Sequence, residues 1–595
     1  MSRAAGDTNM VRGLEKRKAC DLCHIKKIRC DARKPTCSHC VVYGAQCNYT
    51  PNIKKRRKEI QVQTNVEVTP NFGEELVQSK STSQSLGTSV TDRAVSINAS
   101  TLSSLKLTEL LPIIQDYFIN LNSITPLVDQ NTFIRLLHGG NTSKCQAEVV
   151  SAALNVLLAL TFRYRATAHP AVPSFDLATC ISNAKSASNG LAGGHHDLLS
   201  LQVLLGLVML HLGTPHPGLT IASSLIGSAV KLAHKLRLHQ SKSNALFDAE
   251  ASLQRARIFW IVYILDREIS FRTCDPPLQQ ENDHDITIPS STQGNGLVYF
   301  VTKSGTEVRL DIFQTWIHLA RIQGTIYERL YSVHAETQPV DTQQRNSKMI
   351  HGMLIEWLAT IPAELQPDNL VDMSPRPAVS QLVALHFSCL ACFLQTHRVG
   401  SHDAEWITRL VDYSQRVVEF AEPEPVSSST LFPFLEPSSG WVEVVDAARR
   451  CARLFRVVER DDSRLIWSVA CTYISAALLL IANTLTVSEH RRETDAETDA
   501  QFIAEALAFL ARSAAEMPDW TAICKMHAAL AELSCRARIG RVRFALGRPG
   551  PKPASVTWLE AEARRSARHS ALTLIEAFTT AYEKPLATRL WRVGE

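Results

Sequence analysis

Apolar residues recur at helical spacing along most of this chain from about Leu102 onward. Val149–Phe162, Leu198–Leu212, Leu225–Leu238 and Gln254–Phe271 are long, apolar and bounded by turn residues, which predicts α-helices. Within the last of them, Ile258 to Leu265 reads IFWIVYIL, apolar almost all round, so that helix is expected inside a core. Leu465 to Leu485 is apolar enough to raise a membrane span. Ser468, Thr472, Tyr473, Ser475 and Asn483 interrupt it, and no second segment is as convincing, so it reads as a buried helix with no membrane partner. Strand-like alternation is scarce. The pattern predicts a mostly α protein with a large, all-α body.

Two stretches depart from this pattern. Residues 61–100 are polar, rich in Ser and Thr and without an apolar period, and read as flexible linker. Residues 16–51, KRKACDLCHIKKIRCDARKPTCSHCVVYGAQCNYTP, offer few apolar side chains, namely Leu22, Ile25, Ile28, Val41, Val42 and Tyr43. A segment this small rarely holds a core unaided. At 595 residues the chain exceeds one core, and the expected organisation is a compact segment at 16–50, a basic then polar linker at 51–100, and helical regions at 101–340 and 341–595.

Charge sharpens the division. The formal net charge is only +5 overall, yet residues 1–60 hold 15 Lys+Arg against 5 Asp+Glu, leaving a mildly acidic remainder. A basic head on such a body is the asymmetry of a chain with one end on nucleic acid.

Six of the 15 cysteines fall between Cys20 and Cys47, with the spacing C-x2-C-x6-C-x6-C-x2-C-x6-C. Cys20, Cys23 and Cys30 repeat in spacing as Cys37, Cys40 and Cys47. The other nine are scattered through a long chain, unlike a secreted disulfide framework, so a reducing compartment is expected. Thiolates at C-x2-C spacing grip zinc, which prefers four tetrahedral ligands. Each half supplies three; six thiolates fill eight ligand positions on two zincs only if two of them bridge, and the repeat makes equivalent residues the natural bridges. Metal binding would then supply most of the folding free energy. Paired disulfides, two separate sites using His24 and His39, and a redox or storage role are the competing readings. Those histidines each adjoin a ligand cysteine, and the redox role leaves the basic residues between the cysteines unexplained.

His24, Lys26, Lys27 and Arg29 sit where a metal-pinned turn can hold them rigid. Lysine donates to O6 and N7 of guanine in the major groove, whereas phosphate contacts carry affinity without sequence. Lys54, Lys55, Arg56, Arg57 and Lys58 form an unbroken basic run, readable as a phosphate-tracking arm and a nuclear import signal.

The cysteine segment resembles the fungal binuclear zinc cluster domain at every ligand position, including Pro35 between the halves. The resemblance implies that Cys20 and Cys37 bridge the two zinc ions and that a short helix follows the second cysteine of each half. The first of these helices would enter the major groove, commonly at a CGG triplet, with Lys27 on the bases and Lys26 beside it. His24 stands where the family usually has a basic residue, which weakens one contact at neutral pH. The helical body resembles the fungal-specific transcription factor middle region over roughly 105–340. The matching residues are GSAVKLAHKLRLH at 227–239, RARIFWIVYILDREISFRTCDPPLQ at 255–279 and DHDITIP at 283–289. Cys274 stands where the family usually shows glycine, which alters that turn.

These resemblances imply a nuclear, RNA polymerase II-type, sequence-specific transcription factor. Its partners would be double-stranded DNA, the transcription machinery and a second copy as homodimer, although no sustained heptads follow the cluster to carry the dimer. Control of a specialised-metabolite gene cluster is a role the family commonly takes. The body would respond to an effector or partner and not perform catalysis. No phosphate loop, H-E-x2-H helix or G-x-S-x-G elbow occurs. The rival reading is a zinc-bearing interaction or redox-sensing protein whose helical body is the working part.

Four further groupings carry bland expectations. Cys389 and Cys392 read as core cysteines on a helix. Glu281, Asp283 and Asp285 read as a surface turn. His234 and His239, five apart, are expected on different helix faces. The basic stretch Arg536 to Arg548 reads as a solvated helix end and loop.

Overall fold

The computed structural model describes the six clustered cysteines with residues 31–34, and then residues 107–581 with interruptions at 139–143, 165–176, 192–196, 215–216, 291–295, 303–304, 371–375, 400–402, 420–439, 457–462, 486–492, 517–520 and 547–570. Contacts divide the chain between Thr88 and Ser89. The 51–100 linker lies outside the described residues.

The body is helical. Its first part comprises α1 (Leu107–Tyr117), α2 (Gln130–His138), α3 (Lys144–Tyr164), α4 (Leu177–Leu191), α5 (Leu198–Leu212), α6 (Gly218–Lys235) and α7 (Ala249–Thr273). An antiparallel hairpin of β1 (Leu297–Val301) and β2 (Glu307–Asp311) leads into α8 (Ile312–Ile326). Then follow α9 (Val340–Ala359), α10 (Arg376–Thr396), α11 (Ala404–Glu419), α12 (Gly440–Phe455), α13 (Ser463–Leu485), α14 (Glu493–Glu516), α15 (Thr521–Leu546) and α16 (Ala571–Ala581).

Local chemistry sets several helix starts. The Asp197, Asp248 and Asp311 carboxylates accept from the amides of Ser200, Ala251 and Gln314 at 2.8, 2.8 and 2.9 Å, capping α5, α7 and α8. Close packing sets one interior residue: a Cβ at Gly206 of α5 would stand 2.2 Å from Val156 Cγ1 on α3, so glycine lets the two helices meet.

Two apolar cores result. Helices α1–α7 build the first, and the hairpin with α9–α16 builds the second. Helix α8 serves both: Phe313, Ile317 and Ala320 enter the first core, while Leu319, Ile322 and Ile326 enter the second. Ile258 to Leu265 is buried throughout except for the partly exposed Ile264, as its sequence predicts.

Other expectations need amending. The hairpin interrupts an otherwise helical body; Val298 and Phe300 point inward and Tyr299 and Val301 outward, a period of two too short to stand out from the chain. Among the described residues a second helix, Ala378–Thr396, is also long and apolar enough to cross a membrane, though less apolar than Leu465–Leu485, at a mean hydropathy of 1.5 against 2.1. Their apolar windows are 78% and 72% buried inside the body, which fits core helices. His234 and His239 do meet, with ring centroids 4.6 Å apart, because α6 ends at Lys235 and Arg237 turns the chain back at φ 54°. Arg536 is not solvated: its side chain is 2% exposed, pairs with Glu532 one turn earlier and donates to Ser414 Oγ at 3.0 Å. Cys389 and Cys392 are core cysteines of α10, as expected. Glu281 and Asp285 work as turn residues, accepting from Tyr263 Oη at 2.7 Å and from the Ser241 amide at 2.6 Å.

Candidate metal centre

Cys20, Cys23, Cys37 and Cys40 are fully buried or nearly so, and Cys30 and Cys47 are partly buried. Cys23 and Cys40, the second cysteine of each half, lie in helical backbone. None of the six is in a disulfide.

Their sulfurs form two overlapping tetrads. Cys20, Cys23, Cys30 and Cys37 lie within 4.8 Å of one another, and so do Cys20, Cys37, Cys40 and Cys47. Cys20 and Cys37 belong to both. Among the described residues these are the groupings able to hold a metal ion. The separations Cys20–Cys37, Cys20–Cys40 and Cys23–Cys37 are 3.7, 3.6 and 3.7 Å. A tetrahedral zinc with sulfur ligands at about 2.3 Å requires ligand–ligand edges of about 3.8 Å. The donor set therefore fits two zinc ions held by six thiolates, with Cys20 and Cys37 shared.

The electrostatics point the same way. Burial, and then the crowded neighbouring thiols, push Cys23 and Cys40 well above the ordinary thiol range. A divalent metal bound by these sulfurs would supply the local cation that holds such thiols ionised. Backbone amides assist: Cys37 N–H donates to Cys47 Sγ at 3.4 Å and Cys40 N–H to Cys37 Sγ at 3.5 Å. The first of these bonds is the main cause that lowers the Cys47 thiol. The amide donors carry no sequence signal beyond the C-x2-C turn itself.

The expected DNA contacts His24, Lys26, Lys27 and Arg29, and the run Lys54 to Lys58, lie outside the described residues. In the described loop between the halves, Arg33 and Lys34 are exposed, with Arg33 Nε 3.6 Å from Asp31.

Comparison with known proteins agrees with the geometry. Residues 18–56 match the fungal Zn(2)-Cys(6) binuclear cluster domain, and residues 114–365 match the fungal specific transcription factor domain. An ABC-transporter-regulating transcription factor of Aspergillus oryzae is 28% identical over 63% of this chain and 41% of its own. Its counterpart in Aspergillus fumigatus is 27% identical over the same shares. The Fusaridione A cluster transcription factor fsdR of Fusarium heterosporum is 32% identical over 37% of this chain and 42% of its own. The chain thus spans about two fifths of the length of these curated relatives. No solved structure matches it. With six thiols arranged for two shared-ligand zinc sites, the chain carries a fungal Zn(2)-Cys(6) binuclear cluster domain followed by a fungal specific transcription factor domain, and the relatives it resembles are fungal transcription factors.

Proposed function

We propose that the chain is a nuclear regulator that reads CGG-containing duplex DNA in the major groove and controls RNA polymerase II transcription of a gene set. The observation that carries this reading is the pair of thiol tetrads sharing Cys20 and Cys37, two of whose members, Cys23 and Cys30, flank the basic segment from His24 to Arg29 in the sequence. A rigid frame turns that segment's lysines into donors of defined direction, which base reading requires. Lys27 reads guanine, with Lys26 beside it and His24 and Arg29 flanking, while Lys54 to Lys58 track phosphates and serve nuclear import. Full thiolate ligation leaves the first 60 residues at about +8, enough to favour a polyanion.

In this reading residues 16–50 bind DNA, 51–100 link, and the helical regions 101–340 and 341–595 regulate. Relatives whose names tie them to an ABC transporter and to a fusaridione A cluster favour a gene set for export or synthesis of specialised metabolites. The homodimer and the transcription machinery are the partners proposed from the family.

The test is selection of binding sites from random duplex DNA by the intact chain, with and without a zinc chelator. Enrichment of CGG-containing sites that disappears on chelation supports the reading. Absence of enrichment, or enrichment that survives complete zinc removal, contradicts it.

A further inference from the structure

Between the two cores of the body lies a pocket, partly open to solvent, with room of about 150 Å³ and bounded by α5, α7, α8, α10 and α13. Protein interiors are packed like molecular crystals and hold few voids larger than a water molecule. An apolar cavity of about 150 Å³ takes one benzene-sized ring. The walls are mainly apolar, with Met209, Ile264, Phe313, Trp316 and Phe387 among them.

One lining group does not suit that environment. Glu268 of α7 lines the cavity, and its Oε2 is buried with no hydrogen-bond partner. Burial is the main influence on this carboxyl and pushes its pKa up, while the Arg272 charge and, after it, a side-chain hydrogen bond with Gln323 of α8 oppose the shift. Arg272, one turn further along α7, lines the same cavity and donates Nη1 to Leu212 O at 3.2 Å. Buried polar atoms in folded proteins almost always have partners, so a lone carboxylate oxygen on a cavity wall calls for a donor from a ligand. Because Arg272 offsets the Glu268 charge, that donor has no need to be a cation.

We propose that this cavity is a binding site for a neutral single-ring compound carrying one hydrogen-bond donor, received by Glu268 Oε2. The ring contacts α5 and α7 from the first core and α10 and α13 from the second. The site is independent of the DNA reading, since occupancy is measured without DNA.

The probes are phenol, toluene, benzylamine and benzoate, titrated calorimetrically into the intact chain. Phenol is expected to bind saturably at one equivalent and about tenfold more tightly than toluene, which lacks the donor. Glu268→Met removes the acceptor, so phenol and toluene then bind within about threefold of each other. Ala384→Leu fills the cavity from α10 and abolishes binding of both; Ser388→Leu is the second filling variant, and each is accepted only with the native helical circular dichroism. Absence of saturable phenol binding, or binding untouched by whichever filling variants fold, overturns the site. Tighter binding of benzylamine or benzoate than of phenol overturns the assigned ligand class.

Discussion

Arg449 of α12 holds Asp499 of α14 through both arms of its guanidinium, Nε to Oδ1 at 2.7 Å and Nη2 to Oδ2 at 3.0 Å. Asp499 is fully buried and also accepts from Asn483 Nδ2 at 3.1 Å, while Asn483 Oδ1 accepts from Trp441 at 3.0 Å. This network gives α13 its polar partner at Asn483 and ties three helices of the second core. Arg449 also donates Nη1 to Asp446 Oδ1 at 2.9 Å, so removing Asp499 takes its two-pronged buried partner but leaves it one carboxylate. Asp499→Ala is expected to cost about 1–3 kcal/mol, read as a lowered urea midpoint, whereas Arg449→Met with Asp499→Leu recovers part of that loss. Equal stability of Asp499→Ala and the native chain would exclude a supporting role for the pair.

Cys274 ends α7 at φ 55° and ψ 23°, in the left-handed region. A side chain there costs about 1–2 kcal/mol and glycine relieves it, which is the physical reason for a glycine at such a helix end. Cys274→Gly is expected to raise the urea midpoint by about 1 kcal/mol equivalent after glycine's larger unfolded-state entropy is subtracted. Cys274→Val, branched at Cβ, is expected to lower it. The reverse order contradicts the assignment of strain to this residue.

The parts of the molecule written in repeated, short-range patterns were legible in its sequence. The two cysteine triplets declared the cluster because metal-ligand spacing is local, and Ile258 to Leu265 declared a core helix because it lacks a polar face. What escaped depends on tertiary placement. The LVYFV and EVRLD strands alternate over only five residues each and gain their meaning from the glycine-bearing turn between them. Arg536 looks like its exposed neighbour Arg538 until Ser414 and Glu532 are brought to it by packing. His234 and His239 defeat a helical-wheel argument because the helix ends between them. The cavity beside Glu268 has no sequence signature, since five helices assemble it.

Buried histidines give the body an acid limit. Burial lowers His386 and His211 to about 4 and His397 to about 3. His386 is neutral in the fold and donates Nε2–H to Leu365 O at 3.1 Å. A histidine depressed in the folded state contributes stability that is fully present above its ordinary pKa and is lost as pH falls through the folded value. Stability should therefore decline from about pH 6.5 down to about 4, with His386 alone accounting for about 3 kcal/mol of the fall. Urea midpoints at pH 7 and pH 5 test this: His386→Gln should narrow the difference between them. An unchanged difference would remove His386 from the account.

On DNA, Lys27 and the basic run should fail differently. Lys27→Ala is expected to cost about 1–3 kcal/mol on a selected CGG site and little on random duplex. Lys55→Ala or Arg56→Ala should weaken every duplex alike and lower the salt slope by about 1. Fluorescence anisotropy across a salt series separates the two. Equal loss on selected and random DNA for Lys27→Ala would reassign it to phosphate.

The most direct test is elemental analysis of zinc bound to the intact chain and to single cysteine variants, purified without added metal. The shared-ligand geometry predicts two zinc ions per native chain. It predicts loss of both ions in Cys20→Ser or Cys37→Ser, and retention of more metal in Cys30→Ser or Cys47→Ser, each of which belongs to a single tetrad. A native chain with one zinc or none, or four variants that lose metal alike, would contradict it.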